Sequence, residues 1–138
     1  MKVIIAGGRD FGNRLTPAGA IDEKWAQQCW YDLCRELAQL AYDRVGTKIV
    51  SGMAPGADTL GVQFAGSLDL PLHKFPADWD GLGKGAGPAR NQQMAEFADV
   101  LVAFWDGYSN GTRDMIERAL KRGLELHVYP YEPAEERF

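Results

Sequence analysis

The chain has 138 residues, of which 46% are hydrophobic and 25% charged, so it is long and apolar enough to fold as one globular domain rather than remain disordered. The net charge of −4 argues against broad, sequence-independent binding of nucleic acid, which is therefore not predicted as a partner. No apolar run approaches the roughly 20 residues of a membrane-spanning helix, so no membrane association is predicted.

Two cysteines, Cys29 and Cys34, fall five positions apart on one predicted helix. Helix geometry turns them away from each other, so they are not expected to form a disulfide. The sequence has no cluster of cysteine and histidine, and we predict neither a metal site nor a cofactor. Reduced cysteines suit a cytoplasmic protein.

Short apolar runs alternate with helical patterns along the chain. The predicted strands are residues 3–6, 48–50, 71–75, 100–105 and 124–129. The helices between them are predicted at about residues 20–44, 57–68, 88–98 and 111–122. Residues 76–87 contain four glycines and are predicted to be a long loop, with Pro88 at the first position of the next helix.

This alternation predicts an α/β fold, namely a Rossmann-like three-layer sandwich with helices on both faces of a five-stranded parallel sheet. Right-handed crossovers predict the strand order 3-2-1-4-5. Residues 1–130 are predicted to form a single ligand-binding domain, and residues 131–138 a loose polar tail.

Four unusual segments each follow a predicted strand: residues 7–11, 51–58, 84–91 and 105–112. The carboxyl ends of parallel strands share one edge of the sheet, and ligands bind there where the strand order reverses. We therefore expect the segments to converge on one pocket. Its predicted border is Arg9, Ser51, Gly52, Arg90, Ser109 and Thr112.

The residue types in these segments favour phosphate. Glycines let backbone N–H groups approach an anion, and Gly56 and Gly111 each precede a helix whose positive end attracts one. Arg9 and Arg90 offer charge-assisted hydrogen bonds. Arg90 is expected to be mostly exposed and so to affect binding rather than stability. The predicted ligand-binding set is Gly7, Gly8, Arg9, Phe11, Ser51, Gly52, Gly56, Asp58, Arg90, Asn91, Gly107, Ser109, Gly111 and Thr112.

Simpler interpretations stand beside these. Gly7 and Gly8 also suit a tight turn after a strand, and Ser109 also suits an ordinary helix cap. Asp58 would repel a phosphate, so contact with ribose hydroxyls or with its own loop fits it better. Trp79 suits core packing, although a tryptophan beside a site also suits stacking on a base.

Taken together, four motifs occur in a characteristic order: GGRDF, SGMAPGAD, AGPARNQQM and WDGYSNGT. They resemble the SLOG superfamily of Rossmann-like domains, which includes the LOG phosphoribohydrolases, molybdenum-cofactor carrier proteins and the DNA-processing protein DprA. The closest resemblance is to its small stand-alone YspA-like branch of bacteria and phages. It extends over roughly residues 2–129.

The resemblance implies a ligand related to nucleotides, such as a nucleotide, an ADP-ribose derivative or a cyclic nucleotide, and a homodimer. LOG hydrolases cleave the bond between base and ribose with an arginine and a glutamate. Arg90 matches that arginine. In the second motif the paired glycines become Ser109 and Asn110, and the acidic residue is Asp114, one methylene shorter than glutamate, which counts against hydrolysis.

We therefore favour a domain that senses or sequesters a nucleotide or a nucleotide-derived small molecule over an enzyme. The alternative is a nucleoside-monophosphate N-glycosidase with Arg90 and Asp114 as catalytic residues. A third hypothesis, DprA-like binding of single-stranded DNA, is disfavoured by the acidic net charge.

Overall fold

The structure, a computed structural model, describes residues 1–42 and 46–133. All neighbouring strands pair in parallel, in the order 3-2-1-4-5. This confirms the predicted Rossmann-like sheet. The strands are β1 (Lys2–Gly7), β2 (Lys48–Ser51), β3 (Leu72–Lys74), β4 (Val100–Trp105) and β5 (Glu125–Pro130).

The helices are α1 (Glu23–Tyr42), α2 (Ala57–Ser67), α3 (Trp79–Leu82), α4 (Ala86–Phe97) and α5 (Asn110–Lys121). The last residues of the predicted first helix, 43–45, lie outside the described residues. The prediction of a loop over residues 76–87 was wrong, because α3 and a 3₁₀ turn at Gly83–Gly85 lie within it. The side chain of Asp78 accepts the N–H of Gly81 and starts this short helix.

The predicted helix position of Pro88 was also wrong. Helix α4 begins two residues earlier, at Ala86, because Ala86 and Gly87 are buried against the domain. Pro88 is tolerated at the third position because the first N–H groups of a helix have no partner within it.

Two apolar layers cover the sheet. Alternate residues of β1 point to opposite faces: Val3 and Ile5 pack with α1 and α2, whereas Ile4 and Ala6 pack with α4 and α5. Strand β4 is buried along almost its whole length, which explains its unbroken apolar sequence. The predicted helices on both faces are confirmed.

Chain order places a crevice at a defined point of the sheet. The connection from β1 to β2 runs through α1 on one face, whereas that from β3 to β4 runs through α4 on the other. The strand order therefore reverses between β1 and β4, and the carboxyl ends of these two strands border an opening.

Within the described residues, no helix has the length and apolar character needed to cross a membrane.

Residues beyond β5 begin with a packed side chain rather than a loose tail. The ring of Tyr131 lies 5.2 Å from that of Phe11, and its hydroxyl donates to Asp10 over 2.6 Å. A Cβ atom on Gly8 would lie 1.8 Å from this hydroxyl, so a larger residue there would displace the Tyr131 side chain. Tyr131 thus belongs to the domain. Residues 134–138 of the predicted tail lie outside the described residues.

Candidate ligand-binding cleft

A cleft of about 830 Å³ opens at the carboxyl ends of β1 and β4, where the strand order reverses. Three of the four predicted segments contribute many of its lining residues, and the segment after β2 contributes Ala54 and Asp58. The cleft is larger than a single phosphate needs and matches the size of small-molecule sites. The predicted site residues that line it are Gly7, Gly8, Arg9, Asp58, Arg90, Asn91, Ser109, Gly111, Thr112 and Asp114.

The other five predicted residues do not line the cleft: Phe11, Ser51, Gly52, Gly56 and Gly107. Phe11 is fully buried and stacks on Phe104, with ring centroids 4.4 Å apart. Its place is the core between the sheet and α1. Ser51 and Gly52 also lie outside the lining, so the expectation that these two residues border the pocket directly was wrong.

Gly56, just before α2, allows its backbone to touch the backbone after β1. Gly56 has a φ of 85°, and a Cβ atom there would lie 2.2 Å from the carbonyl oxygen of Gly8. The same carbonyl accepts the N–H of Ala57, at the start of α2, over 3.2 Å. The first N–H of α2 is thus used within the protein. Gly56 therefore serves a contact between two backbones, whereas its place before a helix had suggested an anion site.

Ser51 shapes the loop after β2 from within. Its hydroxyl accepts the N–H of Met53 over 3.1 Å and donates to the backbone oxygen of Asp58 over 3.3 Å. The N–H of Ala54 donates to the Asp58 carboxylate over 3.2 Å. Ser51 and Asp58 therefore hold this loop in place, and Asp58 alone of the two also faces the cleft.

Asp58 is a buried carboxyl group in the wall of the cleft. Burial raises its pKa to about 6, although the N–H of Ala54 and the nearby charges of Arg90 and Arg9 act in the opposite direction. The group therefore titrates near neutral pH. A phosphate would have to be held away from its ionised form, as the sequence had indicated.

Arg90 crosses from α4 to the end of β2. Its guanidinium donates to the carbonyl oxygen of Gly52 and, through Nε, to the Asn91 side chain over 3.0 Å. It is half-buried, and burial lowers its pKa. The expectation of a mostly exposed side chain was thus wrong. A guanidinium has five N–H donors, so the two used here leave others to face the cleft.

Arg9 differs from Arg90 in its surroundings. Its side chain is exposed and lines the cleft. Among the residues that the structure describes, none forms a hydrogen bond or an ion pair with its guanidinium. Its charge is close enough to Asp58 to act on the pKa of that carboxyl group.

The start of α5 faces the cleft without a side-chain cap. Ser109 is the N-cap residue, but its hydroxyl pairs with that of Thr112 over 3.2 Å and makes no cap bond. The carboxylate of Asp106 instead accepts the N–H groups of Tyr108 and Ser109, each over 2.8 Å. The following N–H groups of the first turn have no partner within the helix. Two of them belong to residues that line the cleft, Gly111 and Thr112.

Asp114 lies one turn into α5 with its carboxylate engaged twice. It accepts from the Asn91 side chain and from Nε of Arg118, both over 2.9 Å. Asn91 is buried and also donates to the carbonyl of Gly111 over 3.3 Å. Asn91 therefore joins α4 to the start of α5 and fixes the cleft's rim.

Two aromatic residues of the lining were missing from the predicted set: Trp79 and Tyr108. Tyr108 lies inside the motif WDGYSNGT, so its position was the available signal, and Trp79 had been considered chiefly as a packing residue.

Within the described residues, no three side chains of histidine, cysteine, aspartate or glutamate cluster as metal ligands would.

Comparison with known proteins identifies the family. Residues 1–81 match the family described as "YspA, cpYpsA-related SLOG family". The chain is also 34% identical over 133 residues to the Gene 61 protein of Mycobacterium phage D29, covering 91% of this chain and 93% of that protein. The chain belongs to the YspA, cpYpsA-related SLOG family. The predicted family resemblance is confirmed.

A solved structure shares the fold of this SLOG domain. DNA processing protein A from Helicobacter pylori, described for its single-stranded DNA binding mode, superposes with a TM-score of 0.55 and 23% sequence identity. The match covers 96% of this chain but only 66% of that one. It supports the Rossmann-like architecture.

Proposed function

We propose that this SLOG domain binds a nucleotide or a nucleotide-derived small molecule, with a phosphate group held between Arg9, Arg90 and the start of α5. The observation that carries the proposal is the exposed guanidinium of Arg9, which lines the cleft together with the uncapped first turn of α5. Backbone N–H groups and a guanidinium are the donors that proteins commonly offer to phosphate.

The acidic residues of the cleft keep their charges, but two of them are paired with arginines outside the lining: Asp10 with Arg14 over 3.1 Å and Asp114 with Arg118 over 2.9 Å. Their carboxylates accept hydrogen bonds from backbone N–H groups or from neighbouring side chains, as described above for three of them and in the fold for the fourth. The four acidic residues that line the cleft are Asp10, Asp58, Asp106 and Asp114.

Calorimetric titration of AMP and ADP-ribose into the wild type and Arg9→Gln tests the proposal. Losing a charge-assisted bond should weaken binding roughly 10- to 100-fold. Arg122→Gln is a matched control, because Arg122 is exposed at the opposite end of α5 and does not line the cleft. No binding to either compound, or equal affinities in wild type and Arg9→Gln, would contradict the proposal.

Single-stranded DNA is the second candidate ligand, because the structural neighbour is described as binding it. A chain of nucleotides offers the same phosphates and bases as a single nucleotide, but it must extend beyond the cleft. Fluorescence anisotropy with a labelled dT12 oligonucleotide separates the two. An oligonucleotide affinity far above that of AMP, with a steep dependence on salt, would favour DNA.

A further inference from the structure

Trp79 presents a large aromatic surface to the cleft. It is 52% exposed, although tryptophan is normally buried over most of its surface, and it lines the cleft from α3. One edge of the indole ring lies next to Gly87, where a Cβ atom would be 3.3 Å from ring atom Cη2. Glycine at the start of α4 therefore leaves room for the ring, and about half of the side chain faces solvent.

Tyr108 presents a second ring from a different connection. It is 66% exposed and lines the same cleft from the turn between β4 and α5. Its backbone N–H donates to Asp106 over 2.8 Å, so the turn that carries the ring is fixed. The chain thus exposes two aromatic side chains beside the region that we assign to phosphate.

We propose that the cleft recognises an aromatic base as well as a phosphate, with Trp79 and Tyr108 as the stacking surfaces. This inference rests on the proposed function and narrows the ligand class: the ligand is a nucleotide that carries its base, and a sugar phosphate without a base is bound weakly. Every base has a π face, so aromatic side chains bind bases by stacking with little preference for one base over another.

Core packing does not account for these two rings. The aromatic side chains that pack in the core are buried or partly buried and contact other rings, as Phe11 does with Phe104 and Tyr131. Trp79 and Tyr108 leave more than half of their surfaces exposed at the edge of a cleft. Apolar ring surface placed this way gains free energy only when something covers it.

Paired titrations of AMP and ribose 5-phosphate test the inference, because the two compounds share sugar and phosphate and differ in the base. Wild type should bind AMP more tightly. Trp79→Leu should weaken the binding of AMP roughly 5- to 100-fold and leave the affinity for ribose 5-phosphate unchanged. Trp79→Phe should retain most of the AMP affinity. Tyr108→Leu should act like Trp79→Leu, whereas Tyr108→Phe keeps the ring and should act like wild type.

Tyr31→Leu is the control, since Tyr31 is 61% exposed on α1 and does not line the cleft. Thermal melts of each variant confirm that it is folded. Equal affinities of wild type for AMP and ribose 5-phosphate would overturn base recognition while leaving phosphate binding intact. An equal loss of affinity for both compounds in the leucine variants would overturn base recognition as well. Failure of both compounds to bind wild type would overturn the proposed function as well.

Discussion

Replacing Asp58 with asparagine should remove a pH-dependent loss of stability. Burial raises the pKa of this carboxyl from 3.8 to about 6 in the folded chain. The folded state therefore holds the proton more tightly than the unfolded state, and the stability that this provides is complete below pH 3.8 and lost as the pH rises through about 6. A difference of about 2 pKa units corresponds to about 3 kcal/mol.

Urea unfolding of the wild type and Asp58→Asn at several values between pH 4 and pH 7.5 measures this effect. The asparagine can still accept the N–H of Ala54, so its loop is expected to stay intact. The difference between the two unfolding free energies cancels the contributions of the other titrating groups. It should shift by about 2 kcal/mol in favour of the variant between pH 4 and pH 7.5, less than the full effect because pH 4 already lies above 3.8. Glu117→Gln, an exposed change of the same charge, should show no such shift. Parallel curves for wild type and Asp58→Asn would refute the reasoning.

Three further outcomes are expected. Arg90→Ala should lower both ligand affinity and the unfolding free energy, the latter by about 1–2 kcal/mol, because the carbonyl of Gly52 loses its charged donor; a change in affinity alone would contradict this. Gly56→Ala should destabilise by about 2 kcal/mol or more in thermal melts, from its positive φ and the clash at 2.2 Å. Gly111→Ala, with open space around it, should not destabilise. If the chain releases base from nucleoside monophosphates, Asp114→Asn should abolish the release in a chromatographic assay; unchanged release would remove Asp114 from the mechanism.

The periodicity of the sequence was sufficient to predict the sheet. A run such as Val100–Trp105 is apolar throughout because a central parallel strand is covered on both faces, and the alternation with helices implies parallel pairing. The strand order then follows from the handedness of the crossovers. The one helix missed, α3, has four residues in a glycine-rich stretch, too short to show a helical period.

The position of the cleft was predictable for the same reason, since segments after parallel strands must meet at one edge. Arg9 and Thr112 follow β1 and β4 in the chain, and the structure places both in the cleft. Residues on the neighbouring strand β2 behave differently: Ser51 and Gly52 support the cleft from behind, by holding Asp58 and Arg90.

The direction and burial of individual side chains required the tertiary structure. Arg90 has the sequence environment of an exposed helical residue, and only the position of β2 beside α4 supplies the carbonyl that it binds. Trp79 is a typical core residue by type, and only the placement of α3 at the rim leaves it exposed. The physical reason is common to both. Periodicity depends on neighbours in the chain, whereas burial depends on distances between elements that are far apart in sequence.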